Sequence, residues 1–209
     1  MIDEETYERY LDDLLDGDKQ KCIEIVNSLM DEGVGIKDIY IHLIQPSMYE
    51  VGELWEKGEI SVADEHIATS ITDRLLTIIY PRIFSGKKKG KSAVVACVAN
   101  EYHQIGGRMV ADFFELHGWD GYFVGANTPL GDLLDLIDEK KPDVVGLSLA
   151  MYFNLSELLE AVEVIHDKNP DLDIIVGGQA FRQGGSEVLD DYDKVQYLSS
   201  LEELEKILE

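Results

Sequence analysis

From residue 92 onward the chain alternates short apolar runs with stretches of helical periodicity, and this alternation restricts the folds open to it more than any other feature. The apolar runs are Ser92–Ala99, Gly121–Gly125, Val144–Leu149, Ile174–Val176 and Val195–Leu198. Between and after them, apolar residues return at three and four positions over Gln104–His117, Leu130–Glu139, Leu155–Asn169, roughly Phe181–Leu189, and Leu201–Leu208. Near-continuous apolar strands separated by helices predict a parallel sheet covered on both faces. Five such units fit a flavodoxin-like, doubly wound α/β order with the first strand beside the switch point.

Before residue 85 the periodicity is helical throughout. Glu5–Leu15, Lys19–Glu32, Ile36–Trp55 and Ser61–Phe84 read as four helices, punctuated by Asp18, Gly33 and Gly58, and short links between them predict a four-helix bundle. Pro46 falls inside the third pattern and is expected to kink or interrupt it. The run Ser85-Gly-Lys-Lys-Lys-Gly-Lys91 breaks the periodicity. It divides the chain into a helical domain, 1–86, and an α/β domain, 91–209, and its lysines read as a solvated linker in preference to a phosphate patch.

Composition narrows the partners. A formal net charge of −24 over 209 residues opposes unaided binding to nucleic acid or to an anionic membrane. No apolar run reaches membrane-spanning length, and the acidic start Met-Ile-Asp-Glu-Glu does not resemble a signal peptide, so a cytoplasmic location is expected. Cys22 and Cys97, one on an amphipathic helix and one in a buried strand, read as small core side chains.

Chemistry is expected where the first strand runs out, at Glu101-Tyr102-His103-Gln104-Ile105-Gly106. Open parallel sheets bind ligands at this edge. An imidazole with a carboxylate two residues before it can serve as a metal ligand, because the carboxylate takes the proton of one ring nitrogen. Read alone, a histidine at such a position is more often a general base, a cap or a plain loop side chain. Ser148 ends another apolar run after forty-one intervening residues, and Gly177-Gly178 ends a third after twenty-eight more. Singly, these read as a strand-end serine and a tight turn. His42, His117 and His166 lie on helices and read as surface or capping residues.

Taken jointly, residues 90–209 resemble the cobalamin-binding fold, whose pattern is Asp-x-His-x-x-Gly, then Ser-x-Leu, then Gly-Gly. The resemblance implies that His103 coordinates cobalt from below, with Glu101 holding its other nitrogen. It implies that Tyr102, Gln104, Ile105 and Gly106 border the cofactor, that Ser148 and Ala150 line the slot for the displaced base, and that Gly177 and Gly178 make room for the nucleotide tail. Glu101 replaces the usual aspartate, and Ala150 the usual leucine.

In the helical part, Trp55 precedes Glu65-His66 by nine intervening residues. The residues alone allow Trp55 to be a core anchor, Ser61 a helix cap, and Glu65 and His66 residues of the first turns. The arrangement also resembles the helical domain of light-dependent adenosylcobalamin receptors. There it implies that Trp55 covers the adenosyl group, that Glu65 binds its ribose or adenine edge, and that His66 stands ready to replace it as upper ligand after photolysis. Full receptors of that type carry a winged-helix module, so a sensor without its own DNA-binding domain is expected. It would act through a signalling or transcriptional partner protein, with adenosylcobalamin as the favoured cofactor and a homo-oligomer as one state. Corrinoid carriers of methyltransferase systems share the two-domain plan. They imply the alternative: a methyl carrier holding methylcobalamin or hydroxocobalamin, with a methyltransferase as partner and no complete enzymatic activity of its own.

Overall fold

The computed structural model describes residues 2–83 and 87–208. Phe84 of the expected fourth helix, and Ser85 and Gly86 of the expected linker, lie outside the described residues. The chain divides into two compact units, Met1–Ile83 and Phe84–Glu209.

The first unit is helical. Helix α1 (Glu4–Leu15) starts at Asp3, whose carboxylate accepts the Thr6 N–H at 2.9 Å. Helix α2 (Lys19–Asp31) starts in the same way at Asp18, which accepts the Lys21 N–H. Both caps satisfy a donor that the first helical turn cannot use internally. The third expected helix is one path in three conformations: α3 (Ile36–Ile39), a π-helical turn (Tyr40–Ile44) and α4 (Gln45–Glu56). Pro46 accounts for this. It has no N–H to donate, and the helix widens ahead of it so that Gln45 N–H reaches back five residues to Tyr40 O. Ser47 Oγ donates to Leu43 O at 2.7 Å, which satisfies a second carbonyl of the widened turn. The expected kink is therefore a π turn that keeps the chain helical.

Helix α5 (Val62–Ile79) opens with a reciprocal capping box between Ser61 and Asp64 and passes into a 3-10 turn, Tyr80–Arg82, at Pro81. Tyr10, Leu14, Val26, Leu43, Ile44, Val51, Leu75 and Ile79 fill the interior. No helix of the described residues is long and apolar enough to cross a membrane.

The second unit is a five-stranded parallel sheet, β1 (Ser92–Cys97), β2 (Asp120–Gly125), β3 (Val144–Ser148), β4 (Asp173–Gly177) and β5 (Val195–Tyr197), in the order β2-β1-β3-β4-β5. Helices α6 (Ile105–Leu116), α7 (Leu130–Lys140), α8 (Leu155–Lys168) and α9 (Leu201–Leu208) connect and follow the strands. β3 is buried along its whole length, whereas β2 alternates between exposed and half-buried residues, as an edge strand should. The helix expected near Phe181–Leu189 is instead a pair of 3-10 turns, Gln179–Gln183 and Ser186–Leu189, separated by Gly184 and Gly185. Both glycines sit at φ +93°, a conformation that ends a right-handed helix.

Three of the lysines after the boundary have partners. Lys88 pairs with Asp120, Lys89 Nζ donates to Leu208 O, and the Lys91 ammonium lies 4.9 Å from the centroid of the Trp119 ring. Cys22 and Cys97 are both buried.

Register lines up Cys97 with Ser148 and Ser148 with Gly177, so three neighbouring strands end in one row. Gly178, just past that row, has φ +120°, and a Cβ built there would lie 2.0 Å from Leu149 O. Gly178→Ala must therefore displace the β3 exit, and we expect a loss of roughly 2 kcal/mol or more in unfolding free energy, measured as a lowered urea midpoint at unchanged slope.

Candidate functional site

The site forms at the C-terminal edge of the sheet, around the switch point between β1 and β3. After β1 the chain leaves the sheet through Asn100, at φ +63°, and turns Glu101 inward. Glu101 is 0% exposed. Its carboxylate accepts four N–H groups. Oε1 takes the His103 backbone N–H at 3.0 Å and faces His103 Nδ1 at 2.5 Å, and Oε2 takes the Ala150 and Met151 backbone N–H groups at 2.9 Å each. Burial alone would push the carboxyl upward. The hydrogen bonds from the His103 side chain and backbone, and from the Met151 and Ala150 N–H groups, outweigh it and bring the group down to about 2.

This carboxylate fixes the imidazole. With Nδ1 donating to Glu101, the neutral tautomer of His103 carries its lone pair on Nε2, the form a metal binds. The His103 side chain is 47% exposed, so the ring stands at the surface of this unit while its anchor is fully buried. Behind it, Cys97 Sγ lies 3.7 Å from His103 O, and burial pushes that thiol up to about 12, with the Glu101 charge adding to the effect.

The other expected residues gather at the same edge. Tyr102 is exposed, Gln104 caps α6, and Ile105 begins it half-buried. Gly106 is exposed, and a Cβ there would lie 3.9 Å from Ser148 Oγ, so the glycine leaves the approach to Ser148 bare. Ser148 is buried at the end of β3, and Ala150 contributes its N–H to Glu101. Gly177 and Gly178 close β4 beside them.

Two contributors were not singled out from the sequence. Met151 acts through its backbone N–H, which leaves no mark in a sequence. Gly107 is buried where a Cβ would meet Phe123 at 3.1 Å and Cys97 Sγ at 3.2 Å, and the Gly106-Gly107 doublet was the available signal.

The helical unit carries a second carboxylate–imidazole pair. Glu65 Oε2 faces His66 Nδ1 at 2.5 Å, while its Oε1 accepts the Thr69 hydroxyl at 2.8 Å. The His66 side chain is 72% exposed, and Val62 and Ile67 beside it on α5 are exposed apolar residues. Trp55, on the last turn of α4, is half-buried.

Among the described residues no group of three or more His, Cys, Asp or Glu could hold a metal ion. A metal that arrives in a macrocycle with its own in-plane nitrogens needs only one imidazole from the protein, and an imidazole suits cobalt. At exposed Gly106 only a missing Cβ separates the surface from the buried Ser148 hydroxyl, a bare edge that a side chain would cover. The residues fit a corrinoid.

The low carboxyl value gives a pH dependence for the cofactor-free protein. Glu101 moves from an ordinary 4.5 to about 2 on folding. A depressed value contributes stability in full above 4.5 and loses it as pH falls from there through 2. The difference amounts to about 3 kcal/mol. We expect the urea midpoint to fall over that range, and Glu101→Gln to lower the midpoint at neutral pH and flatten the acid limb.

Two family models match the chain, both for a B12 binding domain, over residues 6–80 and 91–203. The HTH-type transcriptional repressor CarH of Myxococcus xanthus is 28% identical over 142 residues, which is 67% of this chain and 46% of the repressor. The chain thus spans about half the length of that relative. Trimethylamine corrinoid protein 1 of Methanosarcina acetivorans is 21% identical over 185 residues, 86% of each chain. The monomethylamine corrinoid protein of Methanosarcina barkeri has the same fold, with a TM-score of 0.84 at 15% identity, covering 99% of this chain and 98% of that one. With both of its halves matched, the chain belongs to the B12-binding family and is a cobalamin-binding protein.

Proposed function

We propose that this protein holds cobalamin with His103 as the lower axial ligand of cobalt, and that it serves as an adenosylcobalamin-dependent, light-responsive regulatory protein. When bound, cobalamin supplies a cobalt centre whose upper substituent can be released by light or passed to another molecule. Glu101 holds Nδ1 of the His103 imidazole and so aims the ring, leaving Nε2 as the nitrogen for cobalt. Ser148 and Ala150 receive the displaced nucleotide base, Gly106, Gly177 and Gly178 leave the tail its path, and Tyr102, Gln104 and Ile105 border the ring. The division into 1–86 and 91–209 puts the Trp55, Glu65 and His66 set and the His103 site on different units.

The observation that carries the regulatory reading is the Trp55, Glu65 and His66 set. Glu65 holds His66 Nδ1 as Glu101 holds that of His103, so a second carboxylate-held imidazole stands on the helical unit. Trp55 offers an apolar cover for an adenosyl group, and Glu65 an acceptor for its ribose or adenine edge. The acidic surface suits a basic signalling or transcriptional partner.

A second reading has its own support. The fold match to a methylamine corrinoid protein extends along nearly the whole of both chains. In that reading the protein is the corrinoid subunit of a methyltransferase system and a methyltransferase is its partner.

Reconstitution with adenosylcobalamin in the dark, followed by absorption spectra and size-exclusion chromatography before and after green light, separates the two. A light-dependent spectral change with altered assembly is the expected result. Binding of methylcobalamin or hydroxocobalamin without such a response would replace it with the methyl carrier. His103→Ala should change the absorption of the bound cofactor, and an unchanged spectrum would remove the ligand assignment.

A further inference from the structure

Three loops meet beside His103, and asparagine side chains bind them together. From the loop after β2, Asn127 Oδ1 accepts the Asn100 N–H at 2.8 Å, and Asn127 N–H donates to Glu101 O at 2.7 Å. From the first turn of α8, Glu157 Oε1 accepts Asn100 Nδ2 at 3.1 Å. From the 3-10 turn after β3 (Tyr152–Asn154), Asn154 Nδ2 donates to Asn100 O at 3.1 Å. Asn100 and Asn127 both have positive φ, which asparagine tolerates better than other side chains.

Asn154 differs from the other two because it is only 3% exposed and closes a ring. The Glu101 side chain accepts the Ala150 and Met151 N–H groups, Met151 O accepts the Asn154 N–H, and the Asn154 amide returns to the carbonyl of Asn100, whose peptide leads directly into Glu101. Each bond in such a ring limits the freedom of the next, and a buried member cannot replace its lost partner with bulk water. The Asn100–Glu101 peptide sets where the carboxylate points, and the carboxylate sets where the imidazole points.

We infer that Asn154 is a positioning residue for the axial histidine. Its amide latches the exit of β3 to the exit of β1 and so holds His103 in the orientation that binds cobalt. This rests on the reading of His103 as lower ligand.

The test uses the full chain labelled with nitrogen-15 histidine, loaded with hydroxocobalamin and chemically reduced to the cobalt(II) state. Electron paramagnetic resonance then shows histidine ligation as a doublet splitting distinct from the nitrogen-14 pattern of the cofactor's own base. Asn154→Asp keeps the shape, removes the donor and sets a carboxylate against the Asn100 carbonyl. We expect it to lower the ratio of histidine-bound to histidine-free cobalt by about tenfold. Ile165→Ala, a core change on α8 that costs stability without touching the ring, should leave the ratio at its wild-type value. An unchanged ratio in Asn154→Asp, with His103→Ala abolishing the doublet, would overturn the latch and leave the ligand reading standing. So would an equal drop in Ile165→Ala. Absence of the doublet in the wild-type protein would overturn the ligand reading and the latch with it.

Discussion

The site depends on one buried carboxylate. Glu101 sits with no solvent exposure, where an unpaired charge would be strongly destabilising, and it is ionised because four N–H groups converge on it. Two of them come from the exit of β3 and two from its own loop, so neutralising the charge and joining the strands are the same event. The longer side chain of glutamate, compared with aspartate, reaches both the His103 ring and the Ala150 and Met151 amides from a single position. The departure from the usual family residue is accommodated by the backbone donors that meet it.

The parallel sheet provides the place for this. Because β1 lies between β2 and β3, the chain leaves β1 toward one side and β3 toward the other, which opens a gap at their C-terminal ends. Cys97, Ser148 and Gly177 share one register row at that gap. Just beyond it Leu149 N–H still pairs with Gly177 O, whereas the Ala150 and Met151 N–H groups turn to the Glu101 carboxylate. Glycines sit along the same edge at 106, 107, 177 and 178; at 107 and 178 a Cβ would collide with Phe123 and Cys97 or with the Leu149 backbone, so there the glycines let the loops pack closely.

Much of this was legible in the sequence, for reasons that can be assigned. The strands were readable because β1, β3 and β4 are largely buried and therefore apolar without interruption, and only their ends moved by a residue or two. The Glu101–His103 contact was readable because two residues of separation allow few other partners. Pro46 signalled a disturbance, but the choice between a kink and a π turn rested on whether Gln45 and Ser47 could serve the freed carbonyls, which depends on packing. The segment Phe181–Leu189 has helical periodicity, yet Gly184 and Gly185 at positive φ split it, a local cost that periodicity does not count. The Ala150 and Met151 amides that hold Glu101 were invisible, since every residue but proline has one.

The two carboxylate–imidazole pairs differ in a way that bears on their roles. Glu101 is fully buried and bound on both oxygens by backbone amides of two loops, so His103 has a rigid support. Glu65 is partly exposed and shares its oxygens between His66 and Thr69, both on its own helix, and the His66 ring is mostly in solvent. Turning His66 away breaks one exposed contact, whereas turning His103 away leaves a buried charge short of a donor. Under the proposed function one ligand stays and the other engages only under one condition, and the difference in support matches those two roles. It favours reading His103 as the permanent axial residue and His66 as the conditional one.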